Sequence, residues 1–152
     1  PVTVRVASLQ LHREKCAPPT PVDTVAGRIG GGIDGDSHVR KTTRSVLVVD
    51  RSTLDDLGLK PGDLREQITI EGLRNVTTLE PGTLLRVGGI TLRVNGPCEP
   101  CTHIGGMLEV EDPDVFRRSL VGRRGAVCTV VEVTSVARVG DRVEVISPVA
   151  TT

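Results

Sequence analysis

Apolar and polar residues alternate over several short stretches of the chain, which is the period of a β-strand with one buried face. Residues 2–11 begin the series, with valines set against Thr3 and Arg5. Residues 83–95 place apolar positions inward on both sides of Gly88-Gly89, a pattern that predicts a hairpin. Further strands are predicted at 22–27, 45–50, 67–71, 126–136 and 142–146.

Two segments carry the signals that start and stop short helices. Ser52 is a capping residue with Asp55 three positions on, and Gly58 can end the helix after about two turns. The pair Asp112-Pro113 opens a second helix that Gly122 can end. About eight strands and two short helices, with no strand–helix–strand rhythm, predict a closed antiparallel β-barrel rather than a doubly wound sheet.

The composition argues against nucleic-acid binding and against insertion into a membrane. The 152 residues contain 19 Lys and Arg against 19 Asp and Glu, so the chain lacks the basic excess of a general nucleic-acid binder. Phe116 is the single aromatic residue, which removes stacking surfaces for nucleic acid. No apolar run approaches the roughly 20 residues that span a bilayer. We expect a cytoplasmic protein without nucleic-acid or membrane partners, whose four cysteines are catalytic, metal-binding or buried.

The strongest chemical candidate is Gly96-Pro97-Cys98-Glu99-Pro100-Cys101-Thr102-His103, directly after the predicted hairpin. Its prolines restrict the loop, and such preorganisation suits a reactive thiol or a metal ligand. Spacing alone leaves four interpretations open: an inert turn, a thioredoxin-like dithiol, a zinc site, and one thiolate that binds a soft metal or carries a persulfide. The zinc ligands would be Cys98, Cys101, His103 and either Cys16 or His12.

A series of motifs, taken in order, resembles one known family. The first are Val25-Ala26-Gly27-Arg28, Gly32-Ile33-Asp34-Gly35-Asp36-Ser37-His38 and Arg44-Ser45-Val46-Leu47-Val48-Val49. The next are Pro61-Gly62, Gln67-Ile68-Thr69-Ile70-Glu71-Gly72-Leu73 and Leu79-Glu80-Pro81-Gly82-Thr83-Leu84-Leu85-Arg86-Val87-Gly88. The last are Pro100-Cys101, Arg124-Gly125-Ala126-Val127 and Val139-Gly140-Asp141-Arg142-Val143. The chain resembles a stand-alone MOSC domain, the module at the C-terminus of molybdenum cofactor sulfurases, and we expect one such domain over residues 1–152.

The resemblance implies a closed barrel similar to that of pyruvate kinase, and a pterin-bound molybdenum cofactor (molybdopterin). In members that bind this cofactor, the cysteine of the Pro-Cys pair is the thiolate ligand of molybdenum, a role that maps onto Cys101. Some members reduce small N-hydroxylated compounds with electrons from a reductase. A molybdenum-dependent oxidoreductase is therefore implied. The alternatives are a persulfide sulfur carrier supplied by a cysteine desulfurase and a non-enzymatic zinc- or partner-binding barrel.

An anionic cofactor needs positive charge and hydrogen-bond donors around it. The cofactor-binding candidates are His38, Arg40, Lys41, Arg44, Gln67 and Arg124. His38, close to Asp36, can bind an anion or transfer a proton. Cys98 and His103 are accessory candidates, since a second thiol can resolve a persulfide on Cys101 and an imidazolium can lower a thiol pKa.

Two positions depart from the family pattern. The family has Gly-Glu-Asn where this chain has Arg65-Glu66-Gln67, so a hydrogen bond of that amide has to be re-aimed through a longer side chain. Cys98 is the second departure, because it adds a thiol close to Cys101. Cys128, by contrast, lies among valines in a predicted strand and is expected to be buried and inert.

Overall fold

The computed structural model describes residues 3–14, 17–98, 108 and 110–148. Cys16, Cys101 and His103 lie outside these residues. The strands are β1 (Arg5–Leu11), β2 (Thr20–Val22), β3 (Thr24–Val25), β4 (Val46–Asp50), β5 (Ile68–Glu71), β6 (Leu84–Val87), β7 (Ile90–Pro97), β8 (Ala126–Val133), β9 (Ala137–Arg138) and β10 (Val143–Ile146). The helices are α1 (Arg51–Leu57) and α2 (Pro113–Ser119), with a 3-10 turn at Val76–Thr78. The described chain is mainly β with two short helices, as the sequence predicts.

The helix ends follow the predicted capping chemistry with two differences: α2 ends at Ser119 with Leu120 as its C-cap, before the predicted Gly122, and the N-cap of α1 is a different residue. Asp50, not Ser52, caps α1, because its carboxylate accepts a hydrogen bond from the Thr53 N–H. Gly58 ends the helix in the left-handed conformation, at φ 69°. Asp112 caps α2, as predicted. The difference at α1 arises because the last residue of β4 is itself a carboxylate, so strand and helix meet without a linker.

Eight strands form one mixed sheet in the order β10-β6-β7-β8-β4-β5-β1-β2, and β3 pairs with β9. The predicted closed antiparallel β-barrel is therefore wrong. Within the described ranges no strand ladder joins β10 to β2, so the sheet is open. An isolated bridge between Arg5 and Arg142 brings the chain before β10 against β1 without forming a ladder.

One strand pair also breaks the predicted antiparallel pattern. β4 and β5 are parallel, with Val48 opposite Ile68. The chain between them passes through α1, and such a crossover lets the second strand run in the same direction as the first. Alternation of apolar residues indicates which face of a strand is buried. It does not indicate which strand lies beside it or in which direction that neighbour runs. This is why the strands could be located from the sequence while their closure was wrongly predicted.

β4 lies between β8 and β5 and is buried on both faces. Val46 and Val48 belong to the larger core cluster. Leu47 and Val49 belong to a second, smaller cluster that also contains Cys98. This arrangement explains the uninterrupted apolar run in the sequence, since a strand covered on both faces has no polar side.

The predicted hairpin is confirmed as β6 and β7, with Leu85 opposite Leu92 and Val87 opposite Ile90. β7 then pairs along its length with β8, and its last residue, Pro97, lies opposite Ala126. The hairpin therefore delivers Cys98 to a fixed position beside β8.

Candidate functional site: a basic pocket

A pocket of about 270 Å³ collects residues from distant parts of the sequence. We call it the basic pocket, and its lining residues are His38, Lys41, Arg44, Leu47, Arg65, Gln67, Cys98, Arg124 and Val127. Six of these were candidates from the sequence; Arg65, Leu47 and Val127 were not. Arg40 is exposed and is not among the lining residues. Among the residues that the structure describes, the lining contains four Lys or Arg side chains and no acidic one, so this part of the pocket attracts anions.

Arg124 is the most buried cation of the pocket, with 8% of its surface exposed. Its Nη2 donates to the Leu64 carbonyl at 3.0 Å, and its Nη1 lies 3.5 Å from Cys98 Sγ. Among the described residues none accepts a hydrogen bond from its Nε. A buried charge without full pairing is costly. The guanidinium therefore suits a pocket that receives an anionic group.

Cys98 presents its thiol to the same pocket from the end of β7. Its backbone N–H donates to the Gly125 carbonyl at 2.9 Å, which fixes this residue next to the start of β8. The side chain is buried, with 6% exposed, and packs in the second core cluster. The sulfur is thus held in place by backbone pairing and by packing, as a preorganised thiol requires.

Asp36 organises the polar side of the pocket. Its Oδ1 accepts from the His12 N–H at 2.8 Å, and its Oδ2 accepts from the His38 N–H at 2.9 Å and from Gln67 Nε2 at 3.1 Å. Burial opposes ionisation, but hydrogen bonds from His38 and His12 outweigh it and lower the pKa of Asp36 below its usual value. Gln67 Oε1 in turn accepts from the Leu47 N–H at 2.7 Å. The longer amide of this chain therefore bridges the loop carboxylate and β4.

Glu66 lies fully buried behind this network. Its carboxylate accepts from the Gly62 N–H at 3.0 Å and from Thr69 Oγ1 at 3.3 Å. Burial raises the pKa of Glu66 to about 8. His12 Nε2 donates to the Glu66 carbonyl at 2.9 Å, and burial lowers the pKa of this histidine. In the sequence, Glu66 is noticeable only as part of the motif that departs from the family pattern, because nothing in its neighbours indicates complete burial.

Arg65 adopts the left-handed conformation, at φ 68°. Its guanidinium donates to the Ala17 carbonyl and, at 3.3 Å, to the Glu14 carbonyl. A long side chain in this region costs about 1–2 kcal/mol relative to glycine. The resemblance noted in the sequence implies glycine at this position, so that departure was the available signal. The backbone of Arg65 is therefore strained, while its side chain adds a fourth Lys or Arg to the described lining of the basic pocket.

We expect Arg65→Gly to be more stable than Arg65→Ala by about 1 kcal/mol, because both variants lose the guanidinium contacts and only alanine keeps the strained Cβ. Urea unfolding followed by far-ultraviolet circular dichroism measures the difference. Equal stabilities would contradict the assigned backbone conformation.

Comparison with protein-family models identifies the family of the chain. The family model of the MOSC domain matches residues 35–144, which include every lining residue of the basic pocket. The chain belongs to the MOSC domain family. The resemblance noted in the sequence is thereby confirmed.

Solved structures share the fold. The YUAD protein from Bacillus subtilis is 22% identical with a TM-score of 0.83, over 95% of this chain and 96% of that chain. YiiM from Geobacillus stearothermophilus is 16% identical with a TM-score of 0.72, over 95% and 75%. YiiM from Escherichia coli is 18% identical with a TM-score of 0.65, over 99% and 72%. A search of curated proteins found no match.

The remaining predictions for this MOSC domain concern its other cysteines, a possible metal site and membrane-spanning helices. Cys128 is fully buried and burial raises its pKa to about 12, so the prediction of an inert thiol is confirmed. Cys101, Cys16 and His103 lie outside the described residues, and their roles stay predictions. Within the described part of the chain, no three His, Cys, Asp or Glu side chains are grouped to hold a metal ion. The helices described here are too short or too polar to cross a membrane.

Proposed function

We propose that this MOSC domain binds the molybdenum cofactor in the basic pocket through the thiolate of Cys101. Its reaction would be the reduction of small N-hydroxylated compounds with electrons from a separate reductase. The observation that carries the proposal is the buried Arg124 guanidinium, whose Nε has no acceptor among the described residues, in a pocket with three further cations. The family assignment supports it, since MOSC domains are associated with this cofactor in general.

The residues present fit an anionic pterin cofactor. Lys41, Arg44 and Arg124 would neutralise its phosphate and dithiolene charges, and the Arg fork can donate two parallel hydrogen bonds to one oxyanion. Gln67 would form part of the wall, held by Asp36 and the Leu47 N–H. When bound, the cofactor supplies a metal centre that exchanges two electrons and takes up an oxygen atom. A soft thiolate suits that metal.

His38 would be the proton-transfer group in this reaction. Its Nδ1 lies 3.4 Å from Asp36 Oδ2, so a protonated imidazole is anchored on that side by an ionised carboxylate. The proton at Nε2 would then face the ligand or the solvent. The side chain is 35% exposed, so that solvent water could return a proton to the imidazole. His38 would thus bind and orient a polar substituent and deliver a proton from Nε2.

Metal analysis of anaerobically purified protein, made in a host that produces molybdenum cofactor, tests the proposal. We expect stoichiometric molybdenum in the wild type and in Cys98→Ser, and none in Cys101→Ala. The Cys98 variant is the matched control because it removes a thiol of the same pocket. Stoichiometric zinc in place of molybdenum, or full activity of Cys101→Ser with a reconstituted reductase, would overturn the proposal.

Cys98 supports a second candidate, the sulfur carrier. The Cys98 thiolate, 3.5 Å from Arg124 Nη1, could attack the inner sulfur of a Cys101 persulfide, which breaks the S–S bond, releases the outer sulfur as hydrosulfide and leaves a Cys98–Cys101 disulfide for an external thiol to reduce. This candidate predicts sulfane sulfur, detected by cyanolysis, in protein that contains no molybdenum even when the host makes the cofactor. It also predicts slower sulfur release from Cys98→Ser than from the wild type after loading by a cysteine desulfurase.

A further inference from the structure

Two cations of the basic pocket, Lys41 and Arg44, lie on an exposed segment that is neither helix nor strand. Within the described residues, no ion pair or side-chain hydrogen bond joins either cation to another group. Their positions therefore depend on how the backbone of residues 41–44 is held. If nothing held this segment, it would have to be ordered at the moment an anion binds, at a cost in affinity.

Two side chains of the sheet hold the backbone of this segment. Asn95 Nδ2 donates to the Thr43 carbonyl at 2.8 Å, and the Thr129 hydroxyl donates to the Thr42 carbonyl. Asn95 Nδ2 also donates to Thr129 Oγ1 at 2.8 Å, which joins the two side chains to each other. We call the pair Asn95 and Thr129 the carbonyl clamp.

The hydrogen bonds of the carbonyl clamp fix the orientation of both side chains. Arg93 Nε donates to Asn95 Oδ1 at 3.1 Å, so the NH2 group of the amide is the part that faces the Thr43 carbonyl. The reverse orientation would set one carbonyl oxygen against another. The Thr129 hydroxyl accepts from Asn95, which leaves its own proton for the Thr42 carbonyl. Every polar atom of the clamp thus has a partner.

The carbonyl clamp lies beside the basic pocket but outside its described lining. Asn95 is on β7 at the point where the register against β8 shifts, and such a shift can re-aim a side chain next to a functional site. Thr129 is on β8, two residues after Val127, so both side chains share one face of the strand. Val127 lines the pocket. Thr129 is buried, with 4% of its surface exposed, which limits the movement of its hydroxyl.

We propose that the carbonyl clamp is a positioning device for anion binding, which sets Lys41 and Arg44 at the basic pocket before an anion arrives. Preorganised charges bind an anion without first ordering the segment that carries them. The proposal rests on the anion binding of the function proposed above and extends it to two residues outside the lining. It does not depend on molybdenum, on Cys101 or on turnover.

Sulfate is the probe, because its charge does not change near neutral pH. It is titrated at constant ionic strength into the full-length, 15N-labelled chain, and NMR follows the amides of Leu47 and Gln67 in the pocket lining. We expect Thr129→Val to weaken sulfate binding about tenfold, or about 1.4 kcal/mol, because the segment must then be ordered on binding. Thr129→Ser keeps the hydroxyl and should bind sulfate as the wild type does.

Two further variants complete the titration. Asn95→Ala removes both amide donors of the carbonyl clamp and should weaken sulfate binding by a similar factor, so it serves if Thr129→Val fails to fold. Thr134→Val is the matched control. It removes a hydroxyl that donates to the Gly89 carbonyl at 3.3 Å, beyond the far end of β8, and should leave the sulfate affinity unchanged.

Removal of the two cations separates positioning from a general loss of structure. In the double variant Lys41→Gln/Arg44→Gln, sulfate meets only the other cations of the pocket, and adding Thr129→Val should change its affinity less than about twofold. A tenfold loss in both backgrounds would mean that the clamp acts on the whole pocket, and would overturn the proposal.

Backbone order before any anion is added gives a second measurement. In 15N relaxation, the order parameters of the Thr43 and Arg44 amides should fall from about 0.85 in the wild type toward about 0.6 in Thr129→Val. If sulfate binding to the double variant is too weak to measure, these order parameters decide between the two roles, since equal values in wild type and variant would overturn the proposal.

Wild-type sulfate affinity in Thr129→Val, an equal loss in Thr129→Ser, or absence of sulfate binding to the wild-type pocket would also contradict it. None of these results depends on metal content. A chain that contains no molybdenum and still shows the tenfold effect would keep the clamp while the proposed reaction fails. A chain that binds molybdenum but shows no effect of the clamp would do the reverse.

Discussion

Raising the pH from 6.5 to 9 is expected to lower the free energy of unfolding by about 2 kcal/mol, and Glu66→Gln is expected to remove this fall. Burial raises the pKa of Glu66 to about 8, against an ordinary value of 4.5. Between these values the folded chain keeps a proton that the unfolded chain releases. The contribution of Glu66 is therefore fully present below pH 4.5 and is lost as the pH rises through 8, at about 1.4 kcal/mol per pH unit.

The window above pH 6.5 is chosen because of His12. Burial lowers the pKa of His12 below its ordinary 6.5, so its contribution to stability is present above pH 6.5 and is lost as the pH falls through the folded value. Below pH 6.5 the contribution of His12 to the free energy of unfolding therefore changes in the opposite direction to that of Glu66. Above pH 6.5 the contribution of His12 approaches a constant value. The lowered pKa values of Asp36 and Asp50 affect stability only on the acid side of their ordinary 3.8.

Glu66→Gln is a close mimic of the protonated acid. Its amide oxygen can accept from the Gly62 N–H, and its NH2 group can donate to Thr69 Oγ1. Urea unfolding at several pH values, followed by circular dichroism, gives the two stability profiles. Glu132→Gln, at an exposed position of β8, serves as the control and should follow the wild type. Parallel profiles for the wild type and Glu66→Gln would show that Glu66 ionises normally in the fold and would contradict the prediction.

Asp36→Ala is expected to destabilise the protein by about 3–5 kcal/mol. The variant removes the acceptor of three N–H groups, those of His12, His38 and the Gln67 side chain, of which the first and last are buried. Each buried donor left without a partner costs about 1–3 kcal/mol, and more when its partner was charged. Since Gln67 also receives the Leu47 N–H, the pocket wall should loosen together with the loop.

The stability of Asp36→Asn should lie between those of the wild type and Asp36→Ala. One oxygen of the amide remains as an acceptor, whereas its NH2 group faces other donors. Asp34→Ala is the matched control. Asp34 is exposed and pairs with exposed Arg28, an interaction worth about 0–1 kcal/mol. Urea midpoints of the three variants measure the order. An Asp36→Ala chain as stable as Asp34→Ala would refute the role given to this carboxylate.

Much of the secondary structure could be predicted because it depends on local pattern. The β6–β7 hairpin, the buried run of β4 and the glycine that ends α1 all follow from the residues themselves. The open, mixed sheet could not be predicted in this way. The order of the strands depends on contacts between residues that are far apart in the sequence. The parallel direction of β5 depends on the crossover through α1, and the alternation of apolar residues carries no information about that crossover.

The candidate site shows the same division. Of the expected cofactor-binding residues, Arg40 does not line the basic pocket; the others line it although the chain separates them widely, namely His38, Lys41, Arg44, Gln67 and Arg124. What the motifs could not convey is environment. Glu66 looks like a surface residue in sequence, yet it is fully buried.

The order in which the ribosome delivers the strands bears on when the basic pocket becomes complete. His38 to Gln67 lie close in sequence and surround β4, whereas Arg124 lies just before β8. β8 pairs with β4 at Val46 and Cys128, so one edge of β4 stays unpaired until residues 126–133 have been synthesised. Domains fold as their segments emerge, N-terminal parts first. The basic pocket is therefore incomplete until the segment that carries Arg124 has been synthesised and β8 has paired with β4.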